Sequence, residues 1–233
     1  MRRIRGLVIL VVLVAAVLGG LYYADGRIRT RTEAQVTADL QTDLGTPTAP
    51  TVDLAGFPFL TQVVAGRISS VHVVADDLGA TNDAPLRVAH ADVVLTDVTS
   101  EDRFQTSTAA HAEGTARLDY SALQALAGVP LTYAGDGRVR TETTTPLLGQ
   151  QVRARIDGSP ALDVKAQAIT LDDAKIVVAG VDLPGFTSKA LLRALLKPIP
   201  LTGIPLGLRV TAVSAADDGI HVDLNGDDLP INR

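Results

Sequence analysis

The chain has 233 residues, a net charge of −5 and 46% hydrophobic residues, of which few are aromatic (3% of the chain). It has no cysteine, so disulfides, zinc–thiolate sites and cysteine nucleophiles are excluded. The acidic balance argues against general nucleic-acid binding, which needs a basic field, and the core must be built from Val, Leu, Ile and Ala, a composition that with Thr favours strands.

Met1-Arg2-Arg3-Ile4-Arg5 precedes an uncharged run from Gly6 to Ala24, chiefly Leu, Val, Ala and Gly. A run of roughly 18 or more apolar residues is long enough to span a bilayer. The leading arginines favour a cytoplasmic amino terminus, and Arg27, Arg29 and Arg31 on the far side weaken that contrast. Segment 1–24 therefore reads as a membrane anchor or as a signal peptide, although Tyr22-Tyr23-Ala24 makes a poor cleavage site. On either reading residues 25–233 form one exported domain in the cell envelope. Without Arg2, Arg3 and Arg5 that domain carries 18 basic residues against 26 acidic ones.

Ile28, Val36, Leu40 and Leu44 recur at multiples of four, and Gly45 follows them. This pattern predicts an amphipathic helix over Arg27–Leu44 with a glycine stop, packed on a sheet or resting on a membrane. Residues 46–51 form a proline-containing linker. Next comes Val52-Asp53-Leu54-Ala55-Gly56-Phe57-Pro58-Phe59-Leu60, which holds two of the chain's four Phe, and then Thr61-Gln62-Val63-Val64-Ala65-Gly66. Gly56 permits a sharp bend and Pro58 keeps the preceding residue extended, so both rings take defined directions. Phe57, Phe59, Leu60, Val63 and Val64 are the candidates for the mouth of an apolar site, with ordinary core packing as the alternative.

From Arg67 the pattern turns to period two. Strands are expected at Leu86–Val98 and Arg103–Leu118, then a short helix at Ser121–Ala127 stopped by Gly128 and Pro130. Further strands are expected at Leu131–Ala134, Arg138–Thr145, Gln151–Asp157, Ala161–Thr170, Lys175–Val178, Leu206–Ala215 and Ile220–Leu224. The doublets Asp76-Asp77, Asp172-Asp173 and Asp217-Asp218 read as turns. Val181-Asp182-Leu183-Pro184-Gly185-Phe186 repeats the opening of the earlier motif, which hints at two related halves. A helix is expected at Ser188–Leu196, its apolar face including Leu191 and Leu195 and its cationic stripe Lys189, Arg193 and Lys197, suited either to a sheet or to an anionic bilayer.

Nothing in the chain points to catalysis. His72, His90, His111 and His221 lack metal-ligand spacing, and there is no G-x-S-x-G elbow, P-loop or G-x-G-x-x-G. Asp223, Asn225, Asp227 and Asp228 do not have the spacing of an EF-hand loop and read as a solvated turn. No metal or cofactor is expected. Arg138, Arg140, Arg153 and Arg155 sit on two strand-like segments. A hairpin centred between Pro146 and Leu147 would set Arg138 opposite Arg155 and Arg140 opposite Arg153. Like charges so placed repel, which suggests either acidic neighbours or an anionic ligand such as a phospholipid headgroup.

VDLAGFPFLTQVVAGRISSVHVVADDL resembles the LmeA-like phospholipid-binding family of actinobacterial proteins, with Gly56–Leu60 and the following Gly66 as the sharpest match. The resemblance implies a tubular lipid-carrying fold, phosphatidylinositol-type or other anionic phospholipid as ligand, and a part in the maturation of envelope lipoglycan or mannan. The expected architecture is thus α+β and predominantly β: long, twisted antiparallel sheets, an N-terminal amphipathic helix and short helices. The expected function is non-enzymatic phospholipid binding at the outer face of the cytoplasmic membrane. Phe57, Phe59, Leu60, Val63, Val64, Phe186, Leu191 and Leu195 are assigned to the lipid, and Arg138, Arg140, Arg153, Arg155, Lys189, Arg193 and Lys197 to headgroup or membrane. The alternative is an envelope interaction domain without a lipid.

Overall fold

The computed structural model describes residues 2–79, 87–100, 106–147, 150–178, 181–182, 198–201 and 204–232; within these the side chains of 2–19, 21, 145–147, 150–152, 181–182, 205 and 232 are outside the description. The chain opens with α1 (Arg2–Leu44). The apolar run and the amphipathic segment are thus one helix, with no proline between them, and Gly45 ends it at φ 61°. Among the described residues no helix is long and apolar enough to cross a membrane; the side chains of residues 6–19, most of the apolar run, lie outside them.

There follow β1 (Thr51–Ala55), α2 (Phe59–Val64), β2 (Arg67–Leu78), β3 (Val88–Thr99), β4 (Thr106–Leu118), α3 (Tyr120–Ala127), β5 (Thr132–Gly135), β6 (Arg138–Leu147), β7 (Gln150–Asp163) and β8 (Ala168–Val178). After the short β9 (Val181–Asp182) and β10 (Ile199–Pro200), a 3-10 turn at Pro205–Gly207 leads into the hairpin β11 (Arg209–Ala216) and β12 (Gly219–Asn232). Two open antiparallel sheets result. The first has the order β1-β2-β3-β4-β12-β11; the second has β10-β8-β7-β6-β5, with β9 also on β8. The predominantly β, α+β architecture is as expected.

The main core lies on the inner face of the first sheet and takes in Val139, Ile169, Ile199 and Leu201 from the second. Alternation sets that face: Leu54 is opposite Val71, Val71 opposite Leu95, and Leu95 opposite Ala112. Tyr120, Leu123 and Leu126 of α3 pack into the same cluster, and the Tyr120 hydroxyl donates to Ala216 O at 2.6 Å. The sheets are also clasped by Gln167, whose Oε1 accepts from Val210 N at 3.0 Å while its Nε2 donates to Val210 O at 3.4 Å. An amide side chain here stands in for a neighbouring strand.

The aspartate doublets are not all turns. Asp217–Asp218 does close the β11–β12 hairpin, but Asp76–Asp77 and Asp172–Asp173 lie inside β2 and β8, and Asp227–Asp228 inside β12. Asp77, Asp97, Asp173 and Asp228 adopt left-handed backbone (φ 47–53°), which Asp tolerates better than most residues. Pairing skips Ser69, Asp97, Ala110 and Asp228, in four adjacent strands. The skip reverses the face parity, so Ile68, Val98, Ala109 and Leu229 return to the core on the far side. This bend also carries β12 well beyond the expected Leu224. The expected strand Ala161–Thr170 is instead the end of β7, a turn at 164–167 and the start of β8.

Candidate functional site

The corner between β1 and α2 is built around Gly56. Its φ of 106° is open to glycine, and a Cβ there would collide with the Gln62 amide and Ser69 Oγ. Gln62 Oε1 accepts from Ser69 N at 2.9 Å and from Ser69 Oγ at 2.7 Å, locking α2 to β2. Gly66 closes the element at φ 64°, where a Cβ would strike the carbonyl of Ser100.

Helix α2 has no side-chain cap of its own. Two of its free N–H groups are satisfied by Asp25 of α1: Oδ2 accepts from Phe59 N at 2.9 Å and Oδ1 from Leu60 N at 2.7 Å. A carboxylate at a helix N-terminus gains both hydrogen bonds and a favourable dipole, so a buried Asp is tolerated here. One and two turns further on, Arg29 reaches Asp53 at 3.1 Å and Glu33 accepts from Leu54 N at 3.1 Å. Burial opposes the Arg29 charge, but its hydrogen bonds to Asp53 and Glu33 prevail and raise its pKa. Helix α1 is thus clipped to this corner by polar groups and, further along, by Val36 and Leu40 against the core. Ile28, expected on the packing face, is turned outward and exposed.

The five residues proposed for one apolar mouth are divided. Phe59 is wholly buried (0% exposed) and Val63 packs against the core, with Leu60 half-buried. Phe57 and Val64 face outward at 68% and 88% exposure. Phe186, Leu191, Leu195, Lys189, Arg193 and Lys197 lie outside the described residues.

A more extended apolar surface lies on the first sheet. On β4, β12 and β11 the inward side chains Ala112, Leu118, Ile220, Val222 and Val210 are buried, with Val213 and Ile231 half-buried. On β2 and β3 part of the same face is less covered: Val71, Val73, Val88, Ala91 and Val93 pack on the core yet remain half-buried, whereas Ile68, Ala75, Leu95 and Val98 are buried. Their partners on β4 are small: Ala91 pairs with Ala116, Val93 with Gly114 and Leu95 with Ala112. Sequence alternation marks these residues as inward-facing; only the fold reveals that they stay half-buried.

The arginine hairpin has another register. Arg140 is opposite Asp157, Glu142 opposite Arg155, and Thr144 opposite Arg153. The strands run on to Leu147 and Gln150, so the turn lies beyond the expected centre and every pairing moves. Arg140 makes a two-pronged pair with Asp157, 2.7 Å on each arm, and Arg155 meets Glu142 at 2.9 Å. The Arg140 hydrogen bond holds the Asp157 carboxyl below its ordinary range. Arg138 donates to the carbonyls of Asp157 and Asp173. The like-charge repulsion that argued for a headgroup at this cluster is therefore absent.

All four histidines contact aspartate: His72 with Asp92, His90 with Asp76, His111 with Asp227 and His221 with Asp218, at 2.7–2.8 Å. His221 lowers the Asp218 pKa. Among the described residues no cluster of His, Asp and Glu could hold a metal ion.

Neither a curated relative nor a solved structure matches the chain. A family model does match, over residues 23–225, beginning where the apolar run ends. It covers the Asp25-capped corner and both sheets apart from the end of β12, and it establishes that the chain belongs to the LmeA-like phospholipid-binding family.

Proposed function

We propose that this protein holds the acyl chains of an anionic phospholipid against the half-buried inner face of the first sheet, at Val71, Val73, Val88, Ala91 and Val93. The observation that carries this reading is the uneven burial of one sheet face: most inward positions of β4 and β12 are buried, whereas five on β2 and β3 are only half-buried. An apolar surface left open is a binding surface for apolar matter, and membership of a phospholipid-binding family names the matter. The apolar run 6–24 holds the domain at the outer face of the cytoplasmic membrane. Phosphatidylinositol-type lipid is the ligand expected, in support of envelope lipoglycan or mannan maturation, and no reaction is required of the protein. Extraction of lipid from vesicles tests the ligand. Phosphatidylinositol should leave the vesicle with the protein in preference to phosphatidylcholine; equal extraction would remove the anionic preference, and no extraction of either would remove the lipid-binding reading.

A further inference from the structure

Phe57 and Phe59 are two residues apart, yet one ring is sealed in the core and the other is 68% exposed. The exposed ring is not alone. Tyr22 lies 5.6 Å from it, ring centre to ring centre, at the end of the apolar run. Tyr22, Tyr23 and Val64 are 69%, 62% and 88% exposed. Beyond them on α1, a shallow open concavity of about 690 Å³ is lined by Tyr22, Tyr23, Arg27, Arg31 and the small residues between. Arg27 stacks over the Tyr23 ring at 5.0 Å and bonds its hydroxyl. Neither Arg27 nor Arg31 has a carboxylate partner among the described residues, whereas Arg29 between them has two. On an acidic domain two such cations beside exposed aromatic rings call for an anionic counterpart.

We propose that Tyr22, Tyr23, Arg27, Arg31, Phe57 and Val64 form the surface by which the domain sits in the headgroup layer of an anionic bilayer. The proposal rests on the reading of residues 6–24 as a membrane segment. Helix geometry then fixes the depths. Residues 6–24 in helix rise about 28 Å, close to the roughly 30 Å of a hydrocarbon core. Tyr22 and Tyr23 fall at its edge, where tyrosine is enriched in membrane proteins. Arg27 and Arg31 follow about 4–11 Å further along the axis, at the level of the phosphates and just beyond. Because α1 is unbroken and Asp25 fastens it to Phe59 and Leu60, Phe57 is held at the depth of Tyr22. The exposed ring then replaces water with interfacial lipid, and Asp25 sets the orientation of the domain on the membrane.

The chain has no tryptophan, so Phe57→Trp creates a unique fluorescent reporter. The full-length protein is reconstituted into phosphatidylcholine vesicles with and without phosphatidylinositol, some carrying brominated acyl chains. Val164→Trp, at the exposed turn between β7 and β8, serves as the reference. Phe57→Trp should emit at shorter wavelength than Val164→Trp and be quenched by brominated lipid, which should leave Val164→Trp unaffected. Adding Arg27→Glu and Arg31→Glu should remove the extra quenching seen with phosphatidylinositol. Equal solvent exposure of the two reporters would overturn the proposal. So would shielding of the Phe57→Trp reporter without lipid quenching, which marks a protein contact. Lipid extracted by the same preparations is measured separately: extraction with an unquenched reporter defeats only the docking surface, and quenching without extraction defeats only the sheet-face site.

Discussion

Phe57→Ala and Phe59→Ala should separate two roles that a single motif combines. A fully buried ring lost from the core costs about 3–5 kcal/mol, so Phe59→Ala should show a large fall in unfolding free energy by denaturant titration. Phe57 is largely in solvent, and its loss should change stability by no more than about 0.5 kcal/mol. Asp25→Ala strips the cap from α2 and leaves two backbone donors without an acceptor, a cost on the order of 2 kcal/mol, read in the same titration. The glycine bend and the aromatic plug were legible in the sequence because Gly and Pro constrain the backbone locally. Asp25 was not, since its partners Phe59 and Leu60 are more than thirty residues away and nothing in an acidic residue after an apolar run announces a cap.

At the level of elements, the pairing of β6 with β7 shows where sequence reading stops. Both strands were expected from their alternation, but register depends on where the turn falls, and a turn shifted by two residues replaces Arg–Arg pairs with Arg–Asp and Arg–Glu pairs. Three of the aspartate doublets fall inside strands rather than turns for a related reason: Asp favours left-handed backbone in a turn and in a strand bend alike, and only pairing across the sheet tells them apart. The depressed Asp157 pKa has a definite pH signature. A carboxyl lowered in the folded state contributes its full stability above its ordinary value of 3.8 and loses it as pH falls through the lower, folded one. Wild type should therefore lose melting temperature below that ordinary value more steeply than Asp157→Asn; parallel curves would remove the pair from the account. Tyr120 gives the opposite limb. Burial raises its pKa from 10.0 to about 12, so the stability tied to its protonated hydroxyl is fully present below pH 10 and is lost as pH rises through that interval. Tyr120→Phe should flatten the alkaline fall in melting temperature.

At the scale of the molecule, the main core draws on both antiparallel sheets, a smaller cluster lies on the second, and α1 runs from the apolar run onto the edge of the first sheet. The predominance of strands was legible because Val and Thr alternate along them, and the family was legible from one motif. The partial burial of the inner face of β2 and β3 was not, because it depends on how other elements pack over the strands rather than on the strands' own residues. That open face is the centre of the account, and filling it is the direct test. Ala91→Leu adds three carbons to the inner face of β3; Val94→Leu, the outer-face control, adds one carbon to the same strand, where Val94 stands opposite His72 and Glu113. Mass spectrometry of the purified full-length protein should find phospholipid bound to wild type and to Val94→Leu, and much less on Ala91→Leu with circular dichroism unchanged. A folded wild type without phospholipid, or an Ala91→Leu protein that carries as much as wild type, would contradict the assignment of the lipid to this face.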